Sequence, residues 1–309
     1  MRVTLFHNPT AGDAQTTAGE LESILTEAGY QVRYQSTEKD WESALDDPGD
    51  MAVVAGGDGT VAKVARAVAD RGIPLALLPF GTANNIGKAL GVFGDVRRLV
   101  AAWRDAPTLE MDVGVVSGPA GERRFVEAVG GGVFAELIER GRTEVEDATV
   151  MVGRETDRAL QLLRHILEDA APAEWRIEFD GQELVGSFLA VEAMNIAFAG
   201  PNVPLAPDAD VSDGRLDLVL VREEDRGRLI DYLTGRVEGA SALMPDLDVR
   251  RGRHLRMTPP DGVLLRIDDE LLDLVGAEED GPDHDRPVVD ILIRPRAIRI
   301  VNARDGGPS

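Results

Sequence analysis

The stretch Met51-Ala-Val-Val-Ala-Gly-Gly-Asp-Gly-Thr60 constrains the fold of this chain more than any other. An apolar run without alternation suits a strand covered on both faces of a parallel sheet. It leads straight into a turn in which Gly56, Gly57 and Gly59 free the backbone for positive φ and for close approach of a ligand. The residues after the turn predict a helix from Val61 to about Asp70. The unpaired N–H groups and positive dipole end of that helix suit a phosphate. Asp58 is expected mid-turn, where a triphosphate needs Mg2+, with Thr60 as N-cap. The pattern is not a P-loop, which needs Gly-Lys-Ser/Thr, nor the dinucleotide fingerprint, because Ala62 stands at its third glycine. On these residues alone, an ordinary glycine-rich strand-to-helix turn remains the alternative.

The chain has 309 residues, enough for two domains and a sizeable core. It has no cysteine, which excludes disulfides and thiolate metal sites. No uninterrupted apolar run has the length of a membrane span, and the start runs into a strand, Val3–Phe6, without signal-peptide layout. A cytoplasmic protein is expected. The formal net charge of −22, from 55 acidic and 33 basic residues, excludes the basic footprint of a nucleic-acid binder. Among the basic residues only Lys39, Lys63 and Lys88 are lysine. An acidic, Lys-poor, Arg-rich chain has the composition of halophilic proteins, although high genomic GC content would give the Arg preference by itself. In molar salt the Debye length is about 3 Å, so such a surface can still approach anionic lipid.

The first hundred or so residues alternate strand and helix. Strands are predicted at Val3–His7, Gln31–Gln35, Met51–Ala55 and Pro74–Leu78, with helices near Thr16–Ala28, Asp40–Leu45, Ala83–Leu90 and Asp95–Arg104. This alternation implies a parallel α/β sheet with ligands at the strand C-termini. After about Glu110 strands dominate: Met111–Val116, Arg124–Val129, Trp175–Phe179, Leu184–Ala197, Leu216–Val221, Leu255–Thr258, Val263–Ile267 and Val288–Ile293. Helices near Glu155–Glu168 and Arg226–Gly235 interrupt them. A second, largely antiparallel β domain is expected. The last strand, Ile298–Asn302, either stays with it or returns to the first sheet. Glu278–Arg286 reads as an exposed acidic loop, and the tail after Arg304 as disordered.

Three loops of the first half end apolar strands with small or polar residues: His7–Gly12, Gly56–Thr60 and Pro79–Asn85, where Thr82 or Asn84 can cap the next helix. Any one of them alone is an ordinary turn. In order, they resemble the diacylglycerol kinase catalytic-domain family, which also holds sphingosine kinases and bacterial soluble lipid kinases. The likeness runs through Asn8-Pro9-Thr10-Ala11-Gly12, Gly56-Gly57-Asp58-Gly59-Thr60 and Gly81-Thr82-Ala83-Asn84-Asn85. It continues through Leu205-Ala206-Pro207-Asp208-Ala209-Asp210, Asp213-Gly214-Arg215-Leu216-Asp217 and Ile267-Asp268-Asp269-Glu270.

The resemblance implies an α/β plus β fold. Residues 1–112, with a returning strand at 296–304, would form an NAD-kinase-like ATP-binding domain, and residues 113–295 an antiparallel β-sandwich completing a cleft for lipid. It implies an ATP- and Mg2+-dependent lipid kinase whose default acceptor is diacylglycerol or a related glycerolipid, within phospholipid metabolism. Such an enzyme would be cytoplasmic and transiently peripheral to the membrane. Association with a second copy of the chain is left open. The ATP contacts it implies are Asn8, Pro9, Thr10, Gly12, Thr37, Gly56, Gly57, Asp58, Gly59, Thr60, Gly81, Thr82 and Asn84. Asp58 would orient phosphates and Mg2+, Glu270 would be the base that deprotonates the lipid hydroxyl, and Asp268 its partner or a metal contact. A structural Mg2+ would be held by Asp213 with the carbonyls of Asp210 and Arg215.

Alternatives accompany these roles. The family motif has Gly where Asp269 stands, a departure that puts the turn or the activity in question, and Asp268–Glu270 also reads as a solvated acidic turn. The Asp208–Asp217 loop is no EF-hand, because glycine falls one place late and Val219 replaces the closing Glu; an unmetallated polar turn stays open there. Arg250–Arg256 either faces lipid phosphates or is a solvated strand face paired with the excess carboxylates. The four histidines lack metal-ligand spacing, and His7 reads as structural. Gly130-Gly131-Gly132 either shapes a cleft or permits a tight connection. The rival functions are an NAD or other small-metabolite kinase, and a non-catalytic nucleotide- or lipid-sensing protein of the same fold. The charge balance predicts a melting temperature and activity that rise from low salt to molar KCl; equal behaviour in both would refute the halophilic reading.

Overall fold

The computed structural model describes residues 1–10, 17–38, 40–119, 121–145, 155–272 and 287–303. The expected loop at Glu278–Arg286 and the tail after Arg304 lie outside the described residues. The chain divides into two units. One is Met1–Val113 with Val211–Asp213 and Pro295–Ser309; the other is Gly114–Asp210 with Gly214–Arg294.

In the first unit, β1 (Arg2–His7) pairs in parallel with β2 (Gln31–Ser36) on one side and β3 (Met51–Gly56) on the other. The strand β4 (Pro74–Pro79) pairs in parallel with β3, and the closing strand of the chain pairs in parallel with β4 through Arg299 and Ile300. Every residue of β3 is buried, which explains its unbroken apolar composition. The helix α1 (Ala18–Glu27) starts at a capping box: Glu20 N–H donates to Thr17 Oγ1 at 3.3 Å, and Thr17 N–H donates to Glu20 Oε2 at 2.7 Å. Leu21 and Leu25, four apart, are its buried face. The helix expected near Asp40–Leu45 is a 3-10 turn over Glu42–Asp46. The helix α2 runs Asp58–Val68, three residues earlier than predicted, with Gly57 rather than Thr60 at the N-cap. The shorter helices α3 (Asn85–Leu90) and α4 (Val96–Ala102) follow; Asp95 caps the latter by accepting from Arg98 N–H at 3.0 Å.

The chain leaves this unit along β5 (Thr108–Gly118). In the second unit come β6 (Gly121–Phe125), β7 (Ala128–Gly132), α5 (Val133–Val145), α6 (Glu155–Asp169), β8 (Ala173–Phe179), β9 (Gln182–Phe188) and β10 (Ala190–Met194). Then follow β11 (Leu216–Val221), α7 (Arg226–Val237), β12 (Asp248–Gly252), β13 (His254–Thr258), β14 (Leu265–Ile267), β15 (Glu270–Leu272) and β16 (Val289–Val301). One antiparallel sheet has the order β12-β11-β10-β7-β14-β15. In the other, β9, β8, β13 and the start of β16 pair antiparallel in that order, and β5 pairs with β16 and β6. Between the sheets lies a core that includes Phe125, Trp175, Ile177, Val191, Leu218, Leu255, Leu265 and Ile267. On the far face of the first sheet, Phe134, Leu160, Leu163, Ile166, Leu229 and Leu233 of the helices form a second core with Ala128, Ala190, Met194 and Val219. That sheet is therefore buried on both faces.

Two predicted strands are broken for the same reason. Arg124–Val129 and Leu184–Ala197, each expected as one strand, are broken at Val126–Glu127 and at Leu189, where the chain passes from one sheet to the other. Val126 is 0% exposed and Leu189 2%, and Glu127, the one charged residue of these crossings, is itself buried at 5%, so no solvated turn announces them. Conversely, Val288–Ile293 and Ile298–Asn302 are one strand, β16, which bends at Arg296 (φ 56°), with Asp112 Oδ1 accepting from the Arg296 N–H at 2.7 Å. No helix among the described residues is long and apolar enough to cross a membrane. Opposite Phe125 on β6 lies Gly114, where a Cβ would fall 1.9 Å from the Phe125 Cζ. Gly114→Ala should cost about 1–3 kcal/mol of stability by overpacking, read from the denaturation midpoint; an unchanged midpoint would mean that the ring has room to move.

Candidate active site

The loops after β3 and β4 lean on each other. Gly56 pairs with Pro79, and Phe80 N–H donates to Gly56 O at 2.9 Å. One step further on, Gly57 and Gly81 touch through their main chains: a Cβ on Gly81 would lie 2.5 Å from Gly57 Cα. Asn84, left-handed at φ 51°, folds back on this contact, accepting from Gly81 N–H at 2.8 Å and donating to Gly81 O at 2.5 Å. It is the N-cap residue of α3, but its side chain makes no capping bond there.

Asp58 does that work instead. It is the first residue of α2 rather than the middle of a turn, and its Oδ1 accepts from Ile86 N–H in the first turn of α3 at 3.0 Å. Burial holds its carboxyl above the ordinary carboxylate range, opposed by the main-chain N–H groups of Ile86 and Asn85, the charge of Lys88 and the N–H of Asn84. The start of α2 has no side-chain cap, since Gly57 has none to give. Its first N–H groups remain available to an anion.

The loop after β1 joins the same strand ends. Asn8 N–H donates to Ala55 O at 3.1 Å, and Asn8 Nδ2 donates to Thr60 Oγ1 at 3.1 Å. Thr10 donates to Asn8 Oδ1 through its N–H (3.1 Å) and its hydroxyl (2.8 Å). Gly56 must lack a side chain here, because a Cβ would lie 2.7 Å from Thr60 Cβ. Asn8, Thr10, Gly56 through Thr60, Gly81 and Asn84 are thus brought together. Pro9 and Thr82 are exposed beside them in sequence, and Gly12 lies outside the described residues. Thr37 is buried one strand away; its N–H donates to His7 O at 3.0 Å, and its carbonyl accepts from Lys63 Nζ at 3.1 Å. The donor set of amides, hydroxyls and main-chain N–H groups fits a polyphosphate.

In the second unit, the acidic turn joins β14 to β15, with Ile267 paired to Glu270. Its left-handed residue is Asp268, at φ 51°; Asp269 is not among the positive-φ residues, so this turn does not need glycine there. Asp268 is 1% exposed, and its Oδ1 accepts from Val126 N–H at 3.0 Å and Glu127 N–H at 2.8 Å. Glu270 is far more open: its side chain is 43% exposed and meets Arg123 Nη2 at 2.6 Å. Sequence reasoning missed Arg123. It also missed a buried pair, Glu192 and Arg266, in which Arg266 Nε lies 3.2 Å from Glu192 Oε1 and Nη2 lies 3.0 Å from Oε2. The signal was present as two lone opposite charges, each inside an apolar strand.

Asp210 and Arg215 belong to the second unit, whereas Asp213 falls in the segment Val211–Asp213 grouped with the first. No group of three or more His, Cys, Asp or Glu among the described residues is arranged to hold a metal. Leu205, Asp208, Asp217, Leu247, Val249 and Arg251 line a cavity of about 310 Å³ in the second unit. The Arg250–Arg256 cluster pairs with carboxylates: Arg250 with Asp248 (3.2 Å), Arg251 with Asp217 (3.0 Å), and Arg256 with Asp290 (3.1 Å). His7 is buried, as its structural reading expects.

Comparison with known proteins agrees with this layout. The family model for the diacylglycerol kinase catalytic domain matches residues 2–116, and that for the YegS C-terminal NAD kinase beta sandwich-like domain matches residues 142–302. Diacylglycerol kinase of Staphylococcus carnosus is 24% identical over 87% of this chain and 88% of its own length. That of Staphylococcus aureus strain MRSA252 is also 24% identical, over 87% of this chain and 86% of its own. A crystal structure of a diacylglycerol kinase from Bacillus anthracis superposes with a TM-score of 0.69 at 18% identity, covering 97% of this chain and 96% of that one. Yeast NADH kinase complexed with NADH shares the fold at a TM-score of 0.54 and 11% identity, covering 97% of this chain and 83% of its own.

The raised pKa of Asp58 has a direct consequence for stability. Folding favours its protonated form, so the cost of burying the charge is absent below the ordinary carboxylate pKa and fully present above the raised one. Asp58→Asn keeps an oxygen for the Ile86 N–H and removes the charge. Its melting temperature should equal or exceed that of the wild type at neutral pH, with the difference vanishing in acid. A lower value at neutral pH would mean that the fold needs the charge.

Proposed function

This chain belongs to the diacylglycerol kinase catalytic-domain family, lipid kinases acting on a lipid alcohol, and from that premise we propose that it transfers the γ-phosphate of ATP to a hydroxyl of diacylglycerol or a related glycerolipid. The observation that carries this reading is the convergence at the first unit's strand ends. Asn8, Thr10, Thr60 and the uncapped start of α2 gather around two glycines whose main chains touch. Phosphoryl transfer asks a protein mainly for positioning and charge neutralisation, and these groups supply the first. Mg2+, when bound, supplies the second at the phosphate oxygens. Asp58 is the carboxylate placed among these groups and is the residue that would hold the metal.

Of the two acidic candidates in the second unit, Glu270 suits the base. A general base must reach the proton that it takes, and Glu270 is accessible while Asp268 is enclosed and engaged by two main-chain N–H groups. Asp268 is then the residue that shapes the turn. Arg123, paired with Glu270, orients that carboxylate and leaves it accessible to the proton of the lipid hydroxyl.

The test is transfer of labelled γ-phosphate from ATP to a total lipid extract, with Mg2+ at molar KCl. A labelled lipid is expected, reduced about 10²-fold or more in Asp58→Ala and in Glu270→Ala, with mass spectrometry naming the acceptor. Wild-type rates in Glu270→Ala would place the base elsewhere. Label in NAD or another soluble acceptor instead would make the chain a metabolite kinase, and ATP binding without transfer would make it a sensor.

A further inference from the structure

We propose that the buried Glu192–Arg266 ion pair is a positioning device that fixes the turn carrying Glu270 by holding the main-chain carbonyl of Asp268. This extends the lipid-kinase reading and rests on it for the role of Glu270.

The geometry is a single row across three strands. Gly130 of β7 pairs with Glu192 of β10 on one side and with Arg266 of β14 on the other. A Cβ on Gly130 would lie 2.4 Å from Glu192 Oε2, so the glycine leaves the space in which the two charged side chains meet. Leu265 and Ile267 point into the core between the sheets, so Arg266 points to the helix-covered face, as Glu192 does between Ala190 and Met194. Glu192 is 0% exposed and Arg266 3%. The guanidinium hydrogen-bonds one Glu192 oxygen through Nε, brings Nη2 to 3.0 Å from the other as an ion-pair contact outside hydrogen-bond geometry, and donates from Nη1 to Asp268 O at 2.7 Å. Asp268 is also tied through its N–H to Ala128 O at 2.8 Å and through its carboxylate to Val126 and Glu127. Of these anchors, the Arg266 guanidinium is the one that a side chain brings to the turn from a neighbouring strand position.

Stability alone does not account for such a pair. Two charges removed from water regain the cost only with good geometry, and well-packed apolar residues of similar volume commonly serve the fold as well or better. What an apolar pair cannot do is donate to the Asp268 carbonyl. Burial pushes Glu192 up and opposes the charge on Arg266, but the neighbouring carboxylates of Glu192, Glu127 and Asp268 hold the guanidinium charged. The donor is therefore permanent and aimed.

The test is the double variant Glu192→Leu/Arg266→Met, with Arg266→Lys beside it. Arg266→Met alone would strand the Glu192 charge in the core, which is why the pair is removed together. Amide exchange is followed by mass spectrometry over residues 264–272, with kcat and the KM for ATP measured in the lipid assay. We expect the double variant to melt close to wild type, to exchange faster over the turn, and to lose kcat by about 10²-fold with the KM for ATP unchanged. Arg266→Lys keeps a charge but not a fork able to reach both Glu192 and Asp268, so it should lose kcat likewise; it carries the same readouts if the double variant fails to fold. Unchanged exchange would overturn the proposal, and so would faster exchange with wild-type kcat. Faster exchange in a chain whose wild type transfers no phosphate would sustain the brace and sink the kinase reading.

Discussion

The contact between Gly57 and Gly81 is the constraint on which the first unit's site depends. Main chain cannot yield as the end of a flexible side chain does, so a Cβ at position 81, 2.5 Å from Gly57 Cα, would push the loops apart. Because β3 and β4 are parallel and in register at Gly56 and Pro79, both loops leave the sheet at the same height, and the glycines let them stay together. Asp58 can then reach across to Ile86, and Asn84 can turn back to Gly81. The starts of α2 and α3 are thus tied to each other by a carboxylate, leaving N–H groups of α2 for an outside anion. Glycine-rich turns of this kind are usually discussed for what they let a ligand approach; here the first thing they let approach is each other.

The second unit faces a different constraint. Its six-stranded sheet is covered by helices on one face and by the other sheet on the opposite face, so any polar side chain on its central strands must find its partner inside. β7 meets this with three successive glycines that serve as space. At Gly131 the space is taken by Leu265 and Trp175, at Gly130 by the Val191 carbonyl and the Glu192 carboxylate, and at Gly132, with φ 93°, by the main chain of Leu189. From sequence the run reads as shaping a cleft or permitting a tight connection, and at Gly132 the chain does pass from β7 directly into α5. Its glycines admit neighbours that are larger or closer than any side chain would allow.

How much of this was legible follows from where the polar residues fall. The parallel strands of the first half stood out because their ends are marked by Asn, Asp, Gly and Thr, and the same residues carry the candidate site. The switch points of the second half were hidden because Val126 and Leu189 are as apolar as the strands they separate, and the one charged residue of these crossings, Glu127, is buried rather than set in a turn. Antiparallel strands buried on both faces lose the alternation that distinguishes them. The helix α5 and the edge strand β12 were missed for related reasons: one starts directly after a glycine run, the other overlaps a stretch read only as a basic cluster. Glu192 and Arg266 were visible as letters but not as a pair, since 74 residues separate them and only the register through Gly130 brings them together.

Three carboxylates of similar intrinsic acidity end in three different conditions, and those conditions decide what each can do. Asp58 is held above its ordinary pKa by burial while one oxygen is tethered to the start of a helix. It is oriented, costly to ionise and therefore responsive to a nearby cation, which would relieve the cost of its charge. Asp268 is enclosed, with the N–H groups of Val126 and Glu127 donating to its carboxylate, a setting that ties it to the backbone around the turn. Glu270, two residues on, is open to solvent and paired with a guanidinium, the arrangement in which a carboxylate can be both oriented and reached by a proton donor. The short motif Asp268-Asp269-Glu270 thus divides its labour by depth. The buried acid is held by main chain on both sides of the turn, the exposed middle residue has no φ that demands glycine, and the half-exposed acid is the one a proton donor could reach.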